Sequence, residues 1–126
     1  MRQAINAVVI KDKRILLVRK RETWILPGGK PEERETDVDC LNREFSQELP
    51  ELILIIGSFY GFFKGKTPHT EDILESKIYF ADVEGDKKPS AEISESAWVS
   101  RKEMRAYNLS DITYKIIDSL KKDRYL

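Results

Sequence analysis

Hydrophobic and polar positions along the chain fall into short runs whose period changes from segment to segment. Ala4 to Ile10 (AINAVVI) and Arg14 to Val18 (RILLV) are rich in apolar and β-branched residues and are separated by Lys11-Asp12-Lys13. Two such runs around a short charged spacer read as a β-hairpin. Leu52 to Phe63 (LILIIGSFYGFF) is too long and too aromatic for one strand, so Gly57 and Gly61 are expected to mark bulges or a bend where it feeds a second pairing. Simple alternation puts Phe59, Gly61 and Phe63 on one of its faces and Tyr60 and Phe62 on the other. Glu75 to Val83 (ESKIYFADV) is expected to pair antiparallel with that run across the polar loop Lys64 to Asp72, and Ser96 to Val99 (SAWV) supplies a last short strand.

Two or three helices fit between the strands. Thr36 is a good N-cap with Asp39 three residues on, and Val38, Leu41, Phe45 and Leu49 share one face of the run that follows. Pro50 ends it, because a proline pushes the residue before it out of helical space. Ser100 to Tyr107 allows a short helix capped by Ser100. Ser110 to Lys122 is a better one, capped by Ser110 or Asp111, with Ile112, Ile116 and Leu120 aligned and basic residues in its last turn. Strands and helices interleave irregularly rather than in βαβ order, which predicts an α+β fold around a mixed sheet. Without an internal repeat, low-complexity tract or linker, residues 1–126 read as one domain.

Composition narrows the chemistry. The chain carries 22 Lys plus Arg against 22 Asp plus Glu. A zero formal charge lacks the basic excess that marks binders of nucleic-acid polymers or anionic membranes, so neither is an expected partner. The longest apolar run, 52–63, falls short of the roughly 20 residues a membrane helix needs. One cysteine cannot pair within the chain, which with the absence of a secretory pattern points to the cytoplasm.

Placed on a helical wheel with Glu44 at zero, Glu48 lies at about 40°, Leu41 at about 60° and Phe45 at about 100°. Both carboxylates border the apolar stripe, while Arg43 and Gln47 lie on the side away from it. Two acids one turn apart at the edge of a buried face repel each other, and a bound cation relieves that repulsion. On the helix alone, ordinary solvated acids are the better explanation of the pair. The preceding Leu26-Pro27-Gly28-Gly29 tips the balance, because a diglycine turn feeding an acid-bearing helix makes a concave site of carbonyls and carboxylates. These are hard oxygen ligands suited to Mg²⁺, with Mn²⁺ as the alternative.

Residues 29–51 (GKPEERETDVDCLNREFSQELPE) resemble the Nudix box, with Gly29, Glu35, Arg43, Glu44, Phe45 and Glu48 at the matching offsets. The lead-in Trp24-Ile25-Leu26-Pro27-Gly28-Gly29-Lys30 is similar to the family's as well. Gln47, Pro50 and Glu51 depart from it, standing where the family usually has Glu, Gly and an apolar residue. Gln47 keeps an oxygen but loses a negative charge, and Pro50 still ends the helix.

The resemblance implies a Nudix-type α/β/α sandwich with a mixed sheet and the box as a loop–helix–loop. It also implies Mg²⁺-dependent cleavage of a diphosphate bond in a nucleoside diphosphate linked to another group, a small-molecule substrate. On the same footing Glu44, Glu48 and the Gly28 carbonyl are metal ligands. Arg43 orients the carboxylates by pairing with Glu35, and Lys30 lies near the phosphates. Glu92, six residues before Trp98, is a third acid of the family's pattern, as ligand or general base, and Glu95 is the second choice for that role. Glu48 and Glu44 rank ahead of Glu92 as proton acceptor.

Trp24, Tyr60, Phe62, Phe63 and Tyr79 offer rings for base stacking, although most of them read as core. His69 reads as a solvent-facing loop residue and Cys40 as an inert small one. Three functions stay open: a (d)NTP pyrophosphohydrolase acting in a MutT-like way, an ADP-ribose or other nucleotide-sugar pyrophosphatase, and a non-catalytic nucleotide-sensing module whose site has eroded at Gln47 and Pro50. Pro68 is a weak pointer to the second. The chain is expected to be a monomer or homodimer, the 52–63 run being either core or interface.

Overall fold

The computed structural model describes residues 2–67, 70, 72–85 and 95–126. Its strands are β1 (Arg2–Lys11), β2 (Arg14–Lys20), β3 (Thr23–Ile25), β4 (Gly28–Gly29), β5 (Ile53–Lys66), β6 (Ile73–Glu84) and β7 (Glu95–Ser100). The helices are α1 (Asp37–Glu48) and α2 (Asp111–Lys122), with a single 3-10 turn at Glu103–Ala106 between β7 and α2. No helix among the described residues is long and apolar enough to cross a membrane.

The expected hairpin forms with Lys11 opposite Arg14. Asp12 and Lys13 take φ of 50° and 61°, the left-handed pair that a two-residue turn needs to match the strands' twist. Strand order is β3-β2-β1-β6-β5, with β4 also on β1 and β7 also on β2. β1 runs parallel to β6 and every other pair is antiparallel, so the sheet is mixed, as expected for an α+β fold.

Alternation then builds a core on each face. Ile5, Ala7 and Val9 of β1, with Leu16 and Val18 of β2, pack against Leu41, Phe45 and Leu49 of the α1 segment. Val8, Ile15 and Leu17 point the other way, to Ile112, Ile116, Ile117 and Leu120 of α2. β1 and β2 are thus covered on both sides, which is why they read as nearly continuous apolar runs. The helix caps follow the sequence: Thr36 and Asp39 form a reciprocal capping box on α1, and the Ser110 side chain accepts from the Thr113 amide on α2.

The sequence reading needs three corrections. The run 52–63 is not split between two pairings, because β5 is a single 14-residue strand lying along β6 throughout. Its register slips twice, between Ile56 and Phe59 and between Phe59 and Gly61, so the glycines do mark bulges. Each extra residue inverts the parity of the side chains that follow. Tyr60 and Phe63 therefore share the α2 face, their ring centroids 5.7 Å apart, while Phe59 and Phe62 meet edge to face at 5.1 Å on the other side. Lastly, Val38 stays 49% exposed at the first turn of α1 although helical phase put it in the apolar stripe, whereas Cys40, outside that stripe, is buried.

Leu41 and Val38 differ most sharply in this respect. Leu41→Ala should lower unfolding free energy by about 2–5 kcal/mol through lost burial and a residual cavity. Val38→Ala should change it by no more than about 0.5 kcal/mol. Urea unfolding of the two variants beside the parent checks the pair.

Candidate active site

The site begins with the two residues of β4, which pair with Asn6 and Ile5 of β1. Gly28 takes φ of +134°, and a Cβ there would lie 2.2 Å from the Ile5 carbonyl oxygen. Only glycine lets the chain approach β1 so closely. Asn6 fastens the preceding turn, donating from Nδ2 to the Leu26 carbonyl at 3.0 Å and accepting at Oδ1 from Ser76 Oγ at 2.6 Å. The Ala7 amide adds a bond of 3.0 Å to the Pro27 carbonyl. The diglycine is a strand in its own right rather than the end of one, which the sequence reading did not anticipate.

α1 brings the acids to this strand. The Glu44 carboxylate lies directly over Gly29, where a Cβ would come within 2.5–2.8 Å of its atoms. Glu48, one turn on, does not merely border the core: it is 3% exposed. Its Oε1 accepts from the Gly28 amide at 3.0 Å, and its Oε2 has no hydrogen-bond partner. Lys20 Nζ, at the end of β2, stands 3.3 Å from Oε2 as an ion pair out of hydrogen-bond alignment. Burial raises the Glu48 carboxyl to about 7, with the Glu44 charge adding to the rise and Lys20 and the Gly28 amide opposing it.

Arg43 does not face idle solvent as the wheel suggested. It grips Glu35 through Nε at 2.7 Å and Nη2 at 2.9 Å. The same guanidinium reaches Glu44 Oε1 at 2.9 Å, the Lys30 carbonyl at 3.0 Å and Gln47 Oε1 at 3.4 Å. Arg43 and the Glu32 amide hold the Glu35 carboxyl below its ordinary range. One side chain thereby locks the loop 30–35 to the helix and fixes the Glu44 carboxylate. Gln47 itself is exposed.

A cleft of about 310 Å³ opens beside the diglycine, walled by Gly28, Gly29, Ile25 and the basic Arg2, Lys20 and Lys30. Hydrogen bonds and the close approach at the diglycine gather Glu44, Glu48, Arg43, Glu35, Gly28 and Lys30 in one place, Gly28 and Lys30 being the members that line the cleft. Trp24 is not among them: it packs in the α2-side core edge-on to Tyr107, with centroids 4.9 Å apart. Tyr60 and Tyr79 spend their hydroxyls on Ser119 and Asp123 and on Asp37, respectively. Glu95 pairs with Arg19 at 2.7 Å. The Cys40 thiol is buried against the Gly29 carbonyl at 3.6 Å, and burial pushes it up to about 11, which suits an inert residue. Glu92, Pro68 and His69 lie outside the described residues. The sequence reading missed Lys20, whose only signal was the Arg19-Lys20-Arg21 run closing an apolar strand.

Among the described residues no three His, Cys, Asp or Glu side chains group as a ready-made metal site. Mg²⁺, however, is commonly held by one or two carboxylates, with substrate phosphates and waters completing its shell. An orphaned buried oxygen on Glu48 and a second carboxylate cradled over a glycine fit that pattern.

A family model described as NUDIX domain matches residues 1–120. The chain belongs to the NUDIX family and is a Nudix hydrolase. Among solved structures it is similar to the MutT NUDIX hydrolase from Burkholderia pseudomallei, with TM-score 0.81 and 20% identity over 93% of this chain and 95% of that one. The MutT protein from Methanosarcina mazei Go1 gives TM-score 0.80 and 22% identity over 98% and 94% of the two chains. An ADP-ribose pyrophosphatase from Streptococcus suis gives TM-score 0.71 and 17% identity over 89% and 81%. No curated protein matches the sequence.

Two predictions come from this geometry. Because the folded chain holds a proton on Glu48 up to about pH 7 while the unfolded chain releases it near 4.5, metal-free stability through this group falls as pH rises across that window. The lowered carboxyls of Glu35, Glu103 and Asp111 act the other way, losing their contribution only as pH drops below the ordinary carboxylate range. Metal-free Tm should thus decline from mildly acidic to neutral pH, and Glu48→Gln should flatten that decline. Gly28→Ala should be strongly destabilising, since its Cβ meets backbone at a left-handed φ. Gly29→Ala should keep a Tm close to the parent's, since it displaces only the tip of the Glu44 side chain.

Proposed function

We propose that this Nudix hydrolase cleaves a diphosphate bond in a nucleoside diphosphate linked to another group, with a (d)NTP, cut in MutT-like fashion, as the first-ranked substrate. The observation that carries the reading is the Glu48 carboxylate, buried beneath the diglycine with one oxygen held by an amide and the other without a hydrogen bond. Lys30 and Lys20 on one cleft wall, with Arg2 beside them in an ion pair with Asp72 at 3.3 Å, suit the charge of a polyphosphate.

Glu44 and Glu48 would hold Mg²⁺ with the Gly28 carbonyl, and Mn²⁺ would serve in its place. Bound there, the ion would supply charge neutralisation for the diphosphate and a lowered pKa for the attacking water. Arg43 keeps the Glu44 carboxylate aimed through the Glu35 clamp, so the acid does not have to be ordered when substrate arrives. Lys30 gives its carbonyl to Arg43 and leaves its ammonium for the phosphates. The proton from water passes to a carboxylate of the pair, Glu48 ahead of Glu44, with Glu92 third.

Release of phosphate or pyrophosphate with Mg²⁺ across NTPs, dNTPs, ADP-ribose and dinucleoside polyphosphates tests the proposal. Turnover should be greatest on a triphosphate, and Glu48→Gln should lower kcat by about 100-fold or more while the fold persists. Preference for ADP-ribose would move the chain to the nucleotide-sugar class. Absence of turnover on the whole panel, with no Tm rise on adding Mg²⁺, would leave a nucleotide-binding module.

A further inference from the structure

Glu48 presents a buried carboxyl group whose ionised form needs a compensating donor or cation. Its Oε1 is satisfied by the Gly28 amide. Arg43 cannot serve Oε2, because its five N–H donors are directed to Glu35, Glu44, Gln47 and the Lys30 carbonyl. The cation that does reach Oε2 is Lys20, at 3.3 Å and out of hydrogen-bond alignment. Its side chain is 35% exposed and also walls the cleft, so one flexible stem spans the buried acid and the open space. An ammonium is a compact charge on rotatable bonds, easier to withdraw than a bidentate guanidinium.

We propose that Lys20 is a built-in stand-in for the divalent ion, occupying Glu48 Oε2 in the metal-free protein and competing with the ion for it. This rests on the metal role proposed for Glu48. An ion arriving at Oε2 meets an ammonium 3.3 Å from that oxygen, and repulsion between the two cations in a partly buried site disfavours their sharing it. Lys20 then swings into the cleft, on the same wall as Lys30. Phosphates entering the cleft favour that outward position, so nucleotide and ion each promote binding of the other by the same factor. Lys20 is thus a positioning residue: it keeps Glu48 set before the ion arrives and weakens binding of the ion until substrate is present.

Calorimetric titration of the whole chain with Mn²⁺ alone, without nucleotide, tests this. Lys20→Gln should bind Mn²⁺ at least about 5-fold tighter than the parent. Lys20→Met, which keeps the aliphatic stem, should do the same if the Gln variant fails to fold. Lys20→Arg should bind more weakly than the parent, because a guanidinium holds the carboxylate harder. In thermal melts Lys20→Gln should have a lower metal-free Tm but a larger rise on adding Mn²⁺, a combination that a purely structural lysine would not produce. Unchanged or weaker Mn²⁺ binding in the Gln and Met variants, with the parent and not its Glu48→Gln variant binding the ion, overturns the role of Lys20 alone. No Mn²⁺ binding by the parent or by either neutral variant overturns the metal role of Glu48, and the Lys20 proposal with it.

Discussion

A carboxylate held away from water beneath a two-residue strand is the constraint around which this molecule is organised. Taking a charged carboxylate out of water costs several kcal/mol unless donors or cations compensate it. Here the compensation is one amide, from Gly28, and one ammonium, from Lys20. For the amide to reach, β4 must lie against β1 more closely than a side chain permits, and Glu44 must lie against Gly29 in the same way. The diglycine is therefore a spacing device. It sets how near the helix can come to the sheet and which atoms of the helix meet the backbone there.

The scaffold turns that spacing into a fixed orientation. Leu41, Phe45 and Leu49 seat α1 on one face of the sheet, and their burial sets the rotation of the helix about its axis. Glu44 and Glu48 follow from that rotation, lying beside the anchored stripe at the side where β4 passes. Arg43 then ties the helix to the loop before it through Glu35 and the Lys30 carbonyl, so helix and loop act as one rigid piece. α2 seals the opposite face and, through Ile112, Thr113 and Ile116, also lines the cleft beside the diglycine, so stability and site share that helix.

Local signals in the sequence were enough for most of this frame. The hairpin, the capping box at Thr36, the stop at Pro50 and the Ser110 cap depend on residues within a few positions of one another, and each appears where the pattern put it. The spacing of Gly29, Glu35, Arg43, Glu44 and Glu48 likewise carried the site's outline, because loop and helix are consecutive in sequence. What escaped depended on distant partners. A bulge inverts side-chain parity only once β6 fixes the register, so Tyr60 and Phe62 could not be assigned a face from alternation alone. Val38 was drawn into the stripe by helical phase, yet no neighbouring element covers the first turn of α1. Lys20 stands 28 positions from Glu48 and meets it only because β2 and α1 pack on the same core.

The departure at Gln47 takes on a specific meaning in this setting. The residue is exposed and its oxygen is the weakest of Arg43's contacts, at 3.4 Å, so the substitution leaves the clamp on Glu35 intact while removing one negative charge from the site. With two clustered acids rather than three, the metal-free site needs less positive charge to be neutral. Lys20 on Glu48 and Arg43, shared between Glu35 and Glu44, already offset part of that charge. A site partly offset in this way has less electrostatic reason to take up a free divalent ion. A phosphate chain changes that balance, because it brings several negative charges into the cleft and the ion can then be held by phosphate and carboxylate oxygens together. On the proposed reading, ion and nucleotide are therefore taken up jointly, and the missing acid at position 47 shifts the site toward that dependence without dismantling it.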